Sequence, residues 1–162
     1  MAELTVLEEK LAEVLGLAQA AKAATDKVSS LTDEPDLSTT LQRMHEEADE
    51  TESRCTEVAG DIDGKKTAIL ERARETKAEA AEMMTTYLGE DSDALDGFEF
   101  LTMAEAGEVG HWSVLRKLNE RARRDDVQQL VEWALPIQER HFQAVLDGSL
   151  ELAGHEDPNE PS

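Results

Sequence analysis

The chain has 162 residues, with 37 acidic against 16 basic side chains, a formal net charge of −21 at pH 7 and 4% aromatic residues. That charge repels nucleic acid phosphates and anionic membranes, which argues against DNA, RNA or acidic lipid surfaces as partners, and it equally suits a high-salt habitat or simple solubility. The length fits one domain with a sizeable core, and the few aromatic, Gly and Pro residues beside abundant Ala, Leu and Glu favour an all-α protein.

The N-terminus, Met1-Ala2-Glu3-Leu4-Thr5, lacks the basic start and apolar run of a secretory signal, and no stretch of about 18 apolar residues occurs anywhere. A cytoplasmic protein is expected. A capping-box pattern, Thr5-x-x-Glu8, opens a first helix that ends near Ser30, ahead of Thr32-Asp33-Glu34-Pro35. Leu7, Leu11, Val14, Ala18, Ala21 and Val28 share its apolar face, with Glu9 and Glu13 pointing away.

A second helix spans about Asp36 to Gly60. His45 and Glu52 fall on its apolar stripe of Leu37, Leu41, Met44, Ala48, Cys55 and Ala59, and a buried ionised carboxylate there must be paired, ligated or neutralised. Cys55 is the single cysteine, which excludes an internal disulfide and any thiolate-rich metal site. After Asp61-Ile62-Asp63-Gly64 a third helix runs to about Gly89. Its apolar face is Ile69, Ala73, Ala80, Met83, Met84 and Tyr87, and Glu71, Glu75 and Glu79 lie outside, near Arg72 and Arg74.

The acidic stretch 89–97 reads as the longest loop. Both Asp96-x-x-Glu99 and Thr102-x-x-Glu105 are possible starts for the fourth helix. At 100° per residue its apolar arc collects Met103, Ala104, Gly107, Val114, Leu115, Leu118 and Ala122, with His111 near the middle and Glu108 at the edge. Arg123-Arg124-Asp125-Asp126 marks a tight junction, because cations close one helix and carboxylates open the next. The fifth helix runs to about Gly148 with Val127, Leu130, Val131, Ala134 and Val145 inward. Gln138 and His141 share that face, Glu139 borders it, and Pro136 is expected to kink the helix beside them. Residues 1–153 form a single domain; residues 154–162, with His155, read as a disordered acidic tail.

Short connections between long helices favour an up-and-down antiparallel four-helix bundle built from five helical segments. Three of the four histidines then lie on inward faces of different helices, each beside a carboxylate or amide. Glu108-x-x-His111, the run His45 to Glu52, and Gln138-Glu139-Arg140-His141 resemble the ferritin-like superfamily, in its small, poorly characterised branch. Gln138-x-x-His141 and Gln42-x-x-His45 carry glutamine where that family's motif has glutamate. The resemblance spans residues 37–146 and implies a carboxylate and histidine centre for iron or manganese, less readily zinc, with His45, Glu52, Glu108, His111, Glu139 and His141 as ligands for oxygen, peroxide or iron-handling chemistry. No phosphate loop, nucleophile elbow or Cys–His motif points to another reaction.

The alternative is a non-catalytic interaction or scaffold protein with a metal-free polar core, in which each histidine bonds a carboxylate or carbonyl. Trp133, off the apolar face of its helix, and Trp112, beside its own, suggest a covering partner for this alternative. A homodimer suits both readings.

Overall fold

A computed structural model describes residues 2–162, and Met1 lies outside them. Five helices account for most of the chain: α1 (Val6–Ser29), α2 (Pro35–Asp61), α3 (Lys66–Tyr87), α4 (Ala94–Ala122) and α5 (Asp125–Ala153). Among the described residues there is no strand.

Local chemistry explains most of the boundaries. Thr5 and Glu8 form the expected capping box at α1, and Pro35 opens α2, where its missing N–H costs nothing. Helix α4 starts before both expected signals. Asp93 caps it, accepting from the Asp96 N–H at 2.9 Å while the Asp96 carboxylate accepts from the Asp93 N–H at 3.0 Å. Asp96 is thus the third residue of the helix, and the loop is shorter than the sequence suggested.

At the α4–α5 junction Arg123 adopts the left-handed conformation at φ 56°. The Asn119 amide brackets it, donating to the Arg124 carbonyl and accepting from the Arg124 N–H. Helix α5 passes Gly148 and ends five residues later. Gly148 is no stop signal. It is the spot where Phe98 of α4 meets α5, so closely that an added Cβ would lie 2.5 Å from the Phe98 ring. The same helix runs unbroken through Pro136, which faces outward. Residues 154–162 carry turns and are exposed throughout.

Side-chain contacts give the helix directions. Val28 meets Gly97 and Glu13 meets His111, so α1 and α4 run antiparallel. Lys22 with Asp49 sets α2 against α1, Phe98 with Gly148 sets α5 against α4, and Glu47 with Arg140 joins α2 to α5. Helix α3 packs on α1 and more lightly on α2. Gly16 allows that approach: a Cβ there would sit 2.4 Å from the Ala73 carbonyl oxygen.

The interior is divided. One apolar cluster gathers Leu11, Leu15, Ala59, Trp112, Leu115 and Val131; a second gathers Val28, Leu41, Met44, Phe98, Leu101 and Val145. Between them lies a layer of polar side chains, Glu47 and Thr51 from α2, Glu105 and Glu108 from α4, and Gln138 and His141 from α5.

Candidate functional site

The α4 contribution to this layer follows a spacing of alternating threes and fours. Phe98, Leu101, Glu105, Glu108, Trp112, Leu115 and Asn119 are all buried, the pattern of an inward seam. Two of those positions hold glutamate, so an apolar-residue count on α4 is pulled off the true face. Met103, Gly107 and Val114, placed inward from the sequence, are exposed. Trp112 is fully buried, and Trp133 is half-buried with the Arg54 guanidinium 4.1 Å above its ring, so neither indole calls for a partner.

Glu105 and Glu108 are 2% and 5% exposed. With its nitrogen turned toward them, the orientation that satisfies both partners, the Gln138 amide donates to Glu108 Oε2 at 2.5 Å and to Glu105 Oε2 at 2.9 Å. Burial raises the Glu105 carboxyl to about 7, although its hydrogen bond to Glu108 opposes the rise. Burial also raises Glu108 well above the ordinary carboxylate value, and the adjacent Glu105 charge adds to it. Two carboxylates this close cannot both ionise cheaply, so the pair holds a proton at neutral pH.

His141 links this pair to the α2 side. Its Nδ1 is 3.8 Å from Glu105 Oε2 and its Nε2 is 3.3 Å from Glu47 Oε1. Burial holds its pKa below the ordinary imidazole value, against the pull of Glu47. Glu47 itself is lowered to about 2, chiefly by Arg140, whose two terminal nitrogens donate to its two oxygens at 2.8 and 2.5 Å. Glu47, Arg140 and Glu105 were not among the residues singled out from sequence; Glu105 was read only as a helix-start signal.

The other predicted site residues lie elsewhere. His45 sits over α1, its Nδ1 3.2 Å from the Lys22 carbonyl and from Thr25 Oγ1. Glu52 pairs with Lys22 at 2.5 Å. His111 is at the outer edge between α1 and α4, 3.1 Å from Glu13, a residue expected to point away from the apolar face of α1 that is in fact half-buried. Glu139 is exposed. Cys55 is buried, and burial together with the Glu108 and Glu52 charges pushes its thiol pKa up.

The three histidines therefore face three different gaps. Of the six predicted ligands only Glu108 and His141 belong to the central layer, and their neighbours are engaged with Gln138, Arg140 and each other. Among the described residues no three His, Cys, Asp or Glu side chains are grouped so as to hold one ion. As arranged, this donor set does not fit a di-iron or di-manganese centre.

On the flank of α4 that faces α1 and α3 the layer meets a groove. The paths of α1, α3 and α4 leave an apolar trough of about 220 Å³, walled by alanines of α1 and α3 and by Met84, Phe100 and Met103. Glu105 and Glu108 also line it, and Lys77 and His111 stand at its rim. Tyr87 and Phe100, with ring centroids 6.1 Å apart, bridge α3 to α4 nearby.

No family model and no curated relative matches this chain. A fold likeness does exist. The chain is similar to "YcfI, a putative structural protein from Rhodopseudomonas palustris", with 18% identity, a TM-score of 0.67, and 86% of this chain and 90% of that chain covered. At that identity the likeness concerns the fold alone. No helix among the described residues is long and apolar enough to cross a membrane.

Proposed function

We propose that α1, α2, α5 and α4 form an up-and-down antiparallel four-helix bundle with α3 laid against α1, and that the protein is a non-catalytic binding protein. Its polar layer is a hydrogen-bonded core element, and its working surface is the groove between α1, α3 and α4. One observation carries this reading: the second half of α3, residues 77–87, contains no buried residue although it holds most of that helix's apolar face. Met83 and Tyr87 are 51% and 58% exposed there, and Met103 across the groove is 39% exposed. A helix that uses only half its apolar face leaves surface for a ligand or partner to cover. Methionine-rich, alanine-lined walls suit an apolar occupant because thioethers adapt their shape and small side chains leave room.

The test is binding of a neutral solvatochromic dye, Nile red, by the whole chain and by an Ala80→Phe/Ala104→Trp variant that fills the groove. Saturable, blue-shifted emission from the wild type that disappears in the variant, at unchanged helicity and Tm, supports the reading. No saturable binding by the wild type, or equal binding by both, contradicts it.

A further inference from the structure

The charge arrangement around the groove indicates what kind of occupant it selects. Five other buried or half-buried acids have cationic partners within 4 Å: Glu8 has Lys65, Glu13 has Arg72, Glu47 has Arg43 and Arg140, Glu52 has Lys22, and Asp126 has Arg124, while the half-buried Glu34 has only His155 and the half-buried Glu71 has none. Glu105 and Glu108, the two most buried carboxyls of the described residues, have no Lys or Arg at that distance. Their near imidazole, His141, is turned toward Glu47 and has its pKa lowered by burial, so it is a poor source of positive charge. At neutral pH the pair shares a proton, and the charge left on its ionised carboxyl is solvated by Gln138 with no Lys or Arg at ion-pair distance, in a place where an unpaired charge is expensive.

The groove provides the access. It runs along α1 from Leu17 to Ala24, about 10 Å at 1.5 Å per residue, and Glu105 and Glu108 lie on its inner wall. The one lysine on its lining, Lys77, belongs to the exposed half of α3 and makes no ion pair with either glutamate. We infer that the groove binds an elongated apolar cation, a primary-amine amphiphile, with its chain against Ala80, Met84 and Phe100 and its ammonium group paired with Glu105 and Glu108. This rests on the groove being the binding surface, and it adds the ligand's charge and shape. An ammonium supplies the missing counter-charge and donates hydrogen bonds to carboxylate oxygens, while an alcohol of equal length gains only the apolar contact. A carboxylate of equal length meets the buried negative pair and the field of a chain of net charge −21.

The experiment is displacement of Nile red from the full chain at pH 7 by decylamine, decan-1-ol and decanoate. It is run at high ionic strength, where surface attraction of amines is screened and a buried pair is not. Decylamine is expected to displace the dye at a concentration about tenfold below that of decan-1-ol, a difference of one charge-assisted contact. Glu105→Gln/Glu108→Gln should bring the two probes level, and Lys77→Met should leave the preference intact or increase it. Equal displacement by amine and alcohol in the wild type overturns the proposal while the groove reading stands, and so does a stronger effect of decanoate. Retention of the preference in the double glutamine variant, or its loss in Lys77→Met, also overturns it. Failure of the wild type to bind the dye removes the groove reading and this inference with it. The three-probe comparison needs only the wild type, so it decides even where a variant is too unstable to use.

Discussion

Replacing both buried carboxyls by amides, Glu105→Gln/Glu108→Gln, should change how stability depends on pH. In the folded chain Glu105 titrates at about 7 instead of the ordinary 4.5, because burial disfavours its charged form. The folded state therefore holds a proton between pH 4.5 and about 7 that the unfolded state has released. Stability from this group is full below pH 4.5 and is lost as pH rises toward 7. At about 1.4 kcal/mol per pKa unit the loss is about 3 kcal/mol, and Glu108, raised in the same sense, adds to it. His141 acts oppositely: its lowered pKa means that acid below 6.5 favours the unfolded state. His141 is present in both proteins, so the comparison rests on the difference between them. Urea unfolding by circular dichroism from pH 4.5 to 8 should give wild type and variant similar stabilities at the acid end. At pH 8 the variant should be more stable by about 3 kcal/mol, order of magnitude. A difference that stays flat across this range would refute the claim that the pair is held protonated by burial.

Further outcomes follow from single contacts. Arg123→Gly should stabilise by about 1 kcal/mol, measured by thermal unfolding, because glycine adopts the left-handed conformation at φ 56° without the Cβ clash. Gly148→Ala should destabilise by roughly 1–3 kcal/mol, since its Cβ would lie 2.5 Å from the Phe98 ring; a neutral result would show that the ring shifts freely. Cys55 should resist thiol reagents until the chain unfolds, given its burial and raised pKa, and rapid modification under native conditions would contradict that placement. Elemental analysis after anaerobic incubation with iron, manganese and zinc should find no stoichiometric ion. Metal that is retained and then lost in a Glu108→Ala/His141→Ala variant would restore the metal-binding reading.

Helix number and most boundaries could be read from the sequence because caps are local. Thr5 with Glu8, Pro35, and the Arg123 to Asp126 junction each announce themselves within a few residues. Gly148 misled because glycine after an apolar run signals both a helix stop and a close helix contact, and only the position of Phe98 distinguishes them. The inward face of α4 was displaced for a related reason. Hydrophobic periodicity assumes that what is buried is apolar, and Glu105 and Glu108 occupy two seam positions. The steps from Phe98 through Leu101, Trp112 and Leu115 to Asn119 carried the correct register, and extending them would have placed both glutamates inside. Gln138 and His141 were recognised as inward because α5 is apolar on one side, and Glu108 was placed only at the edge of the α4 arc. Glu47 was not, because it reaches the layer from the edge of α2, held by Arg140 of a helix ninety-three residues away. Pairings across such separations depend on which helices are neighbours, and periodicity within one helix does not report that.

The link between the buried acid pair and the groove is most directly tested by ¹³C NMR of the glutamate side-chain carboxyls, titrated with and without Nile red. The account expects the Glu105 and Glu108 resonances to titrate above the ordinary carboxylate range, to move when the dye fills the groove, and to leave Glu47, on the far side of His141, unmoved. Resonances of Glu105 and Glu108 that titrate near 4.5 and ignore the dye would contradict it.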